Sequence, residues 1–195
     1  MTLDPWLAKV AILVSTIVLV AIRLPAGQRS RGVTVVKSRR GPEEIALLMV
    51  AWLVFLGTLL WLATPVLEFA EYALHPVPFA AGLPCLALGL WFMYRSHQDL
   101  GTNWSVTLEV REKHQLVTKG IYRRVRHPMY MAFLLYAVGQ ALTLPNWMAG
   151  PSYLVAFGLL FALRLGPEER MMREEFGADY DAYVARTKRL VPGIW

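Results

Sequence analysis

The chain passes from a charged segment into an apolar one within residues 120–130, GIYRRVRHPMY. Pro128 is typical of the first turn of a helix, where its missing N–H costs nothing, so we expect His127 at or just before a helix start. The unpaired N–H groups of such a start favour a carboxylate or phosphate. The stretch therefore predicts a basic loop that enters a membrane helix. In a purely structural alternative, Arg126 binds lipid phosphate and His127 only caps the helix.

The composition indicates an integral membrane protein. Of 195 residues, 56% are hydrophobic, and the mean hydropathy is +0.41, which is too apolar for an ordinary soluble domain. The net charge of +6 comes from Lys and Arg residues that lie between apolar spans, so we expect anionic lipids and no nucleic acid as partners. The single Cys85 and the unpatterned histidines give no disulfide and no expected metal site.

Five apolar stretches predict an all-α fold with about five transmembrane helices. They are residues 10–22 (extending back to residue 6), 45–66, 79–94, 129–144 and 152–163. The last two are short, and we expect them to tilt or to continue as helix beyond the hydrocarbon. Lys and Arg residues concentrate after the first, third and fifth spans, which predicts that the N-terminus is outside and the C-terminus is cytosolic.

We expect one domain over residues 1–195, because no repeat or linker divides the chain. Residues 1–94 would supply three N-terminal spans. Residues 95–195 would form a catalytic core, in which a helical hairpin over 128–163 is followed by C-terminal helices.

A second charged segment, residues 164–176, begins where the last apolar span ends. Arg164 and Glu168 are four residues apart and would share one helix face, with Glu169 beside it. An ordinary ion pair on a solvated face is the alternative. A charged pair at the membrane boundary is costly, however, which favours a function. We expect Gly177 to end this helix and residues 179–187 to form a short final helix.

Ordered motifs in the second half of the chain resemble the isoprenylcysteine carboxyl methyltransferase family, particularly its small prokaryotic members. They are residues 99–105 (DLGTNWS), 114–122 (HQLVTKGIY), 126–130 (RHPMY), 168–169 (EE), 174–180 (EEFGADY) and 189–192 (RLVP). The resemblance is specific over about 95–192 and only architectural over the first two spans. Arg-His-Pro alone is a weak signal, since phospholipid methyltransferases and some membrane sterol reductases share it.

The resemblance implies S-adenosylmethionine as methyl donor and S-adenosylhomocysteine as product. Both would be held in a cytosolic pocket built from the loop before the fourth helix and from the C-terminal helices. A lipophilic substrate would enter from the bilayer, at the inner membrane of a prokaryote with the active site facing the cytoplasm. Arg164 and Glu168 match the family's pair beside the transferred methyl group. The implied cofactor contacts are His114, Leu116, Val117, Gly120, Tyr122, His127, Pro128, Tyr130 and Glu169.

The sequence thus predicts a membrane methyltransferase for a prenylcysteine-like or other isoprenoid or lipid acceptor. If the acceptor is a carboxylate, Arg164 would hold it with a bidentate contact, and Glu168 would orient Arg164 or balance the sulfonium charge. If it is a thiol or an amine, Glu168 becomes a candidate general base. Three alternatives stay open: a phospholipid N-methyltransferase, an NADPH-dependent membrane reductase of the sterol reductase type, and a lipid-binding protein without turnover.

Overall fold

Six helices carry the fold in a computed structural model, which describes residues 1–32, 34–38, 41–105, 107, 109–111, 115–191 and 193. They are α1 (Pro5–Arg31), α2 (Pro42–Ala63), α3 (Pro76–Leu100), α4 (Pro128–Thr143), α5 (Ala149–Phe176) and α6 (Ala178–Arg186). Each of the first four begins with a proline, whose missing N–H costs nothing in the first turn. The predicted all-α fold is confirmed, with one small addition.

The addition is an antiparallel ladder between β1 (Val35–Ser38) and β2 (Glu109–Arg111). It ties the segment after α1 to the segment after α3. The ladder was not predicted, because strands of three and four residues are too short to show an alternating pattern.

Among the described residues, four helical segments are long and apolar enough to cross a membrane. They are Pro5–Ser30, Pro42–Ala63, Pro76–Asn103 and Ala149–Phe176. The prediction of a multi-pass membrane protein is confirmed. The predicted fourth span is α4, whose 16 residues measure about 24 Å, less than the ~30 Å of the hydrocarbon core. The predicted fifth span continues as helix to Phe176, so the apolar span and the charged segment 164–176 form one helix, α5.

Glycines allow α3 and α4 to approach closely. A Cβ on Gly89 would lie 2.8 Å from Tyr136 N, and a Cβ on Gly139 would lie 2.7 Å from Leu86 N. Membrane helices associate through such small residues, since lipid offers no hydrophobic drive for helix pairing. This close packing fixes α4, and therefore its first residues, relative to α3.

Buried polar contacts hold α4 to the other helices. The Tyr136 hydroxyl lies 3.3 Å from Ser15 Oγ on α1. Gln140 donates from Nε2 to Ala149 O at 2.9 Å and to Thr58 Oγ1 at 3.3 Å, which connects α4 to α5 and α2. Interhelical hydrogen bonds of this kind stabilise helix bundles in a medium that offers no water.

Backbone hydrogen bonds join the loops at one end of the bundle. Leu3 N donates to Leu74 O at 2.8 Å, and Tyr72 N donates to Pro145 O at 3.1 Å. These segments carry no Lys or Arg. Because successive helices run in opposite directions, the basic segments meet at the opposite end of the bundle, which we call the charged end.

Candidate active site

Five of the predicted site residues lie in one cluster at the charged end. Tyr130 donates from its hydroxyl to Glu168 Oε2 at 2.7 Å. His127 lies between two carboxylates, with Nε2 at 3.3 Å from Glu169 Oε1 and Nδ1 at 3.8 Å from Glu168 Oε1. Arg164 Nε lies 4.0 Å from Glu168 Oε2. The start of α4 and the charged half of α5 thus supply one continuous polar network.

The segment after α6 closes over the start of α4. Arg126 N donates to Lys188 O at 2.8 Å, and His127 N donates to Arg189 O at 3.0 Å. A third contact comes from α6, where Tyr183 donates from its hydroxyl to Tyr122 O at 2.6 Å. These pairings fix the backbone of His127, which precedes the first helical residue, Pro128, as predicted.

Glu169 is the centre of a buried ion cluster and is only 4% exposed. Arg126 donates from Nη2 to Glu169 Oε1 at 2.9 Å. Arg189 donates to both oxygens, from Nε at 3.2 Å and from Nη2 at 3.0 Å. This bonding raises the pKa of the Arg189 guanidinium above its ordinary value. Such bidentate, charge-assisted contacts are strong and directional, so Glu169 holds the C-terminal segment onto α5.

Arg126 is not available to lipid phosphate. Its side chain is 7% exposed, and it donates to Glu169 and to the backbone carbonyl of Thr187. The purely structural alternative for this residue is therefore wrong. Arg126 instead belongs to the ion cluster behind His127.

Glu44 also belongs to this cluster, although the sequence motifs did not indicate it. It lies in the first turn of α2 and is buried, and its Oε1 is 3.6 Å from Arg164 Nη2. The guanidinium of Arg164 therefore lies between two carboxylates, one from α2 and one from its own helix. A carboxylate at the boundary of an apolar span was a usable signal, because such a group is costly without a partner.

The turn Gly120–Arg123 is fixed by the end of α3. Gly120 has φ +61°, and a Cβ there would collide with the carboxylate of Asp99. That carboxylate accepts a hydrogen bond from Ile121 N at 2.8 Å. The glycine is therefore required by its positive φ and by the close approach of Asp99. This structural reason stands beside the predicted cofactor contact.

Two tyrosines beside the cluster stay neutral at physiological pH. Burial, assisted by the negative charge of Glu168, raises the pKa of Tyr122 well above its ordinary value. Burial and the charge of Glu169 raise the pKa of Tyr180 to about 12. Both phenols are therefore packing and hydrogen-bonding groups rather than bases. Glu168, whose side chain is 28% exposed, is the more open of the two α5 carboxylates that belong to the cluster.

The other predicted cofactor residues precede this cluster in the chain. Leu116 and Val117 are partly buried in the segment that leads to the turn, and no described polar contact joins them to the carboxylates. His114 lies outside the described residues. Among the residues that are described, no group of three or more His, Cys, Asp or Glu side chains is arranged to hold a metal ion.

Comparison with known proteins places this arrangement in a family. Residues 77–179, more than half of the chain, match the phospholipid methyltransferase family. The chain is 32% identical over 115 residues to protein-S-isoprenylcysteine O-methyltransferase B of Arabidopsis thaliana, covering 58% of each protein. It is 32% identical over 96 residues to the human protein-S-isoprenylcysteine O-methyltransferase, covering 48% of this chain and 34% of that one. The chain thus spans about half the length of the curated relatives that it matches.

The fold is also similar to a solved structure. The eukaryotic intramembrane Ras methyltransferase ICMT (isoprenylcysteine carboxyl methyltransferase) superposes with a TM-score of 0.52 at 25% identity. The superposition covers 80% of this chain and 54% of that one. It extends well beyond the family match, so the resemblance noted in the sequence motifs is confirmed in three dimensions. The chain therefore belongs to the phospholipid methyltransferase family, and within it resembles the isoprenylcysteine carboxyl methyltransferases.

Proposed function

We propose that the protein transfers a methyl group from S-adenosylmethionine to the carboxylate of a lipophilic, prenylcysteine-like acceptor. The observation that carries the proposal is the placement of Arg164 between Glu44 and Glu168, beside the network of His127, Tyr130 and Glu169. The acceptor would enter from the bilayer. The Lys and Arg residues at the charged end support an active site that faces the cytosol. The resemblance to small prokaryotic members of the family is the basis for proposing the inner membrane of a prokaryote.

The side chains of the cluster fit the chemistry of the cofactor, which carries a sulfonium, an ammonium and a carboxylate. Glu168 offers a partly exposed carboxylate to a cation. Arg126 Nε is buried and makes no hydrogen bond with any described residue, so it is a donor in need of an acceptor. Aromatic faces such as those of Tyr122 and Tyr130 can attract a sulfonium, by about 0.5–2 kcal/mol.

The cofactor would be held from two directions. The inner loop would supply His114, Leu116, Val117, Gly120 and Tyr122, and the start of α4 would supply His127, Pro128 and Tyr130. Glu169 contributes by holding Arg126 and His127 in place, since its own oxygens already accept from them. The cofactor itself supplies an electrophilic methyl group on a sulfonium.

The charges of the cluster favour an anionic acceptor. Arg164 Nε is buried and makes no hydrogen bond within the described part of the chain. The ion pairs of the site join three carboxylates, from Glu44, Glu168 and Glu169, to three guanidinium groups, from Arg126, Arg164 and Arg189. This set is neutral overall. A cationic donor together with a carboxylate acceptor keeps the site neutral, whereas an ammonium acceptor would add a second positive charge.

In this mechanism the protein positions groups and moves no proton. A carboxylate acceptor is already ionised near pH 7, because an unperturbed carboxyl titrates near ~4. Arg164 would hold the acceptor carboxylate through its guanidinium, whose Nε makes no hydrogen bond with a described residue. Glu168 would orient Arg164 on one side and Tyr130 on the other. Correct orientation of two bound reactants is by itself a large part of catalysis.

Glu44→Gln is expected to lower the turnover number by about tenfold or more and to leave the affinity for S-adenosylhomocysteine unchanged. The substitution removes one of the two carboxylates that hold the Arg164 guanidinium. Initial rates against acceptor concentration measure the effect. Glu43→Gln is the matched control, because Glu43 is exposed in the same turn. Equal turnover in the two variants would exclude this role for Glu44.

A second candidate, phospholipid N-methylation, is favoured by the family that matches residues 77–179. An amine acceptor must lose a proton before or during methyl transfer. Glu168, partly exposed and close to His127, would then act as the general base. The two candidate functions therefore give Glu168 different roles. It orients Arg164 and Tyr130 in the first and acts as the general base in the second.

The proposed function requires specific binding of the cofactor product. Protein purified in detergent is expected to be stabilised against heat by S-adenosylhomocysteine and not by NADPH. Stabilisation by NADPH alone would favour a membrane reductase. The proposed function fails if neither compound raises the melting temperature and isothermal titration detects no binding of S-adenosylhomocysteine.

A further inference from the structure

Arg23 is a cation on α1 without an anionic partner among the described residues. It is partly buried, and its guanidinium lies over two aromatic rings, 5.5 Å from the centroid of Trp104 and 5.4 Å from that of Phe133. The hydrogen bond that the structure gives it runs from Nη1 to Met93 Sδ at 3.8 Å. A thioether is a weak acceptor. Arg23 therefore keeps most of its capacity to bind an oxyanion.

His97 is a second polar group without a partner beside the same indole. It is 1% exposed, and its ring meets Trp104 edge-on with centroids 4.6 Å apart. Neither ring nitrogen makes a hydrogen bond with a described residue. Buried polar groups are almost always hydrogen-bonded, so an orphaned imidazole needs an explanation. Arg23 over the ring and His97 at its edge point to a ligand beside Trp104.

Arg23 lies near the start of α4, where the candidate site begins. Phe133, whose ring lies under the guanidinium, comes one helical turn after Tyr130, and Trp104 donates from Nε1 to Met129 Sδ at 3.3 Å. A guanidinium that lies over aromatic rings in a mostly apolar interior makes an anion favourable there. Its planar fork can bind a carboxylate with two hydrogen bonds.

We propose that Arg23, backed by Trp104 and His97, forms an anion-binding subsite near the start of α4 that takes the carboxylate head of the acceptor. This subsite rests on the proposed function, and in it Arg23 selects the class of acceptor. With Arg23 included, the acceptor end of the site has an excess of positive charge. The site therefore accepts amphiphiles with an anionic head and rejects those with an ammonium head.

The test measures binding of two probes to the full chain in detergent. One probe is an S-prenylcysteine that is acetylated on its amine and has a free carboxyl, and the other is its primary amide. The unmodified protein is expected to bind the carboxylate at least about tenfold more tightly than the amide. Arg23→Gln is expected to abolish that preference by weakening only the carboxylate. Its affinity for S-adenosylhomocysteine should not change.

Two further variants make the result specific. Arg29→Gln removes the same charge from an exposed position on the same helix, and it should bind both probes as the unmodified protein does. Arg23→Lys keeps the charge but loses the planar fork, so it should retain part of the preference. Thermal denaturation of each variant identifies misfolded protein. If Arg23→Gln fails to fold, Arg23→Lys is compared with Arg29→Gln. A smaller preference for the carboxylate in Arg23→Lys supports the subsite, and an equal preference in the two variants overturns it.

Two outcomes would overturn the subsite. The first is equal affinity of the unmodified protein for carboxylate and amide, and the second is an unchanged preference in Arg23→Gln. If the variant with unchanged preference is also no longer stabilised by vesicles of phosphatidylglycerol relative to phosphatidylcholine, Arg23 binds a lipid phosphate instead. Because binding is read without methyl transfer, these outcomes are distinct from a failure to bind S-adenosylhomocysteine.

Discussion

Arg164→Ala is expected to lower methyl transfer by about 100- to 1,000-fold while S-adenosylhomocysteine still binds. Arg164 is the cation between Glu44 and Glu168, and its buried Nε makes no hydrogen bond with a described residue. Removing it takes away the group that we propose holds the acceptor carboxylate in line with the donor. Single-turnover rates with saturating S-adenosylmethionine measure the loss.

The matched control is Arg170→Ala, which removes the same charge from an exposed position on the same helix. Glu168→Gln tests the neighbouring group without changing its size, and it is also expected to lose most turnover. If Arg164→Ala retains more than about a tenth of the activity, Arg164 does not bind the reacting group. If it loses S-adenosylhomocysteine binding as well, its role is to build the cofactor pocket.

Glu169→Ala is expected to destabilise the protein by about 3–5 kcal/mol, because it leaves Arg126 buried without its carboxylate. Arg126 accounts for most of this cost, since its side chain is 7% exposed, whereas that of Arg189 is 38% exposed and remains solvated. The C-terminal segment is expected to loosen from α5. Thermal or denaturant unfolding in detergent, read through limited proteolysis of the C-terminal segment, measures the effect.

Glu174→Ala is the control for the second prediction, since Glu174 is exposed on the same helix. Glu169→Gln keeps the size of the side chain and one acceptor oxygen but loses the charge and the second acceptor, so its stability should fall between the two. If Glu169→Ala and Glu174→Ala unfold at the same midpoint and are cleaved equally by protease, the ion cluster does not hold the C-terminal segment on α5.

Local patterns were sufficient to predict part of the site. Pro128 marks a helix start through its own chemistry, so the position of His127 just before that helix follows from the sequence alone. Arg164 and Glu168 share a helix face because of their spacing alone. The continuation of α5 beyond its apolar span was one of two expectations, and the structure selects it.

Long-range contacts could not be predicted in the same way. Glu44 reaches Arg164 only because α2 packs against α5, and nothing near Glu44 in the sequence specifies that neighbour. The pairing of Arg126 and His127 with the backbone after α6 depends on how the C-terminal segment folds back. Arg189 stood within a recognised motif, yet its role as the bidentate partner of Glu169 is visible only in three dimensions.

The family resemblance and the structure give different reasons for a glycine at Gly120. The family pattern implies a cofactor contact there. The structure requires glycine for its positive φ and for the carboxylate of Asp99 beside it. Both reasons hold together if the turn presents its backbone to the cofactor, as glycine-containing turns often do.

Methyl transfer to a carboxylate is tested most directly by following a labelled methyl group. The purified protein is incubated with methyl-labelled S-adenosylmethionine and an S-prenylcysteine that has a free carboxyl group, and the product is then treated with base. We expect base to release the label as methanol, as from a methyl ester, and Arg164→Ala to form almost none of this product. A base-stable label, or no transfer by a protein that binds S-adenosylhomocysteine, would contradict it.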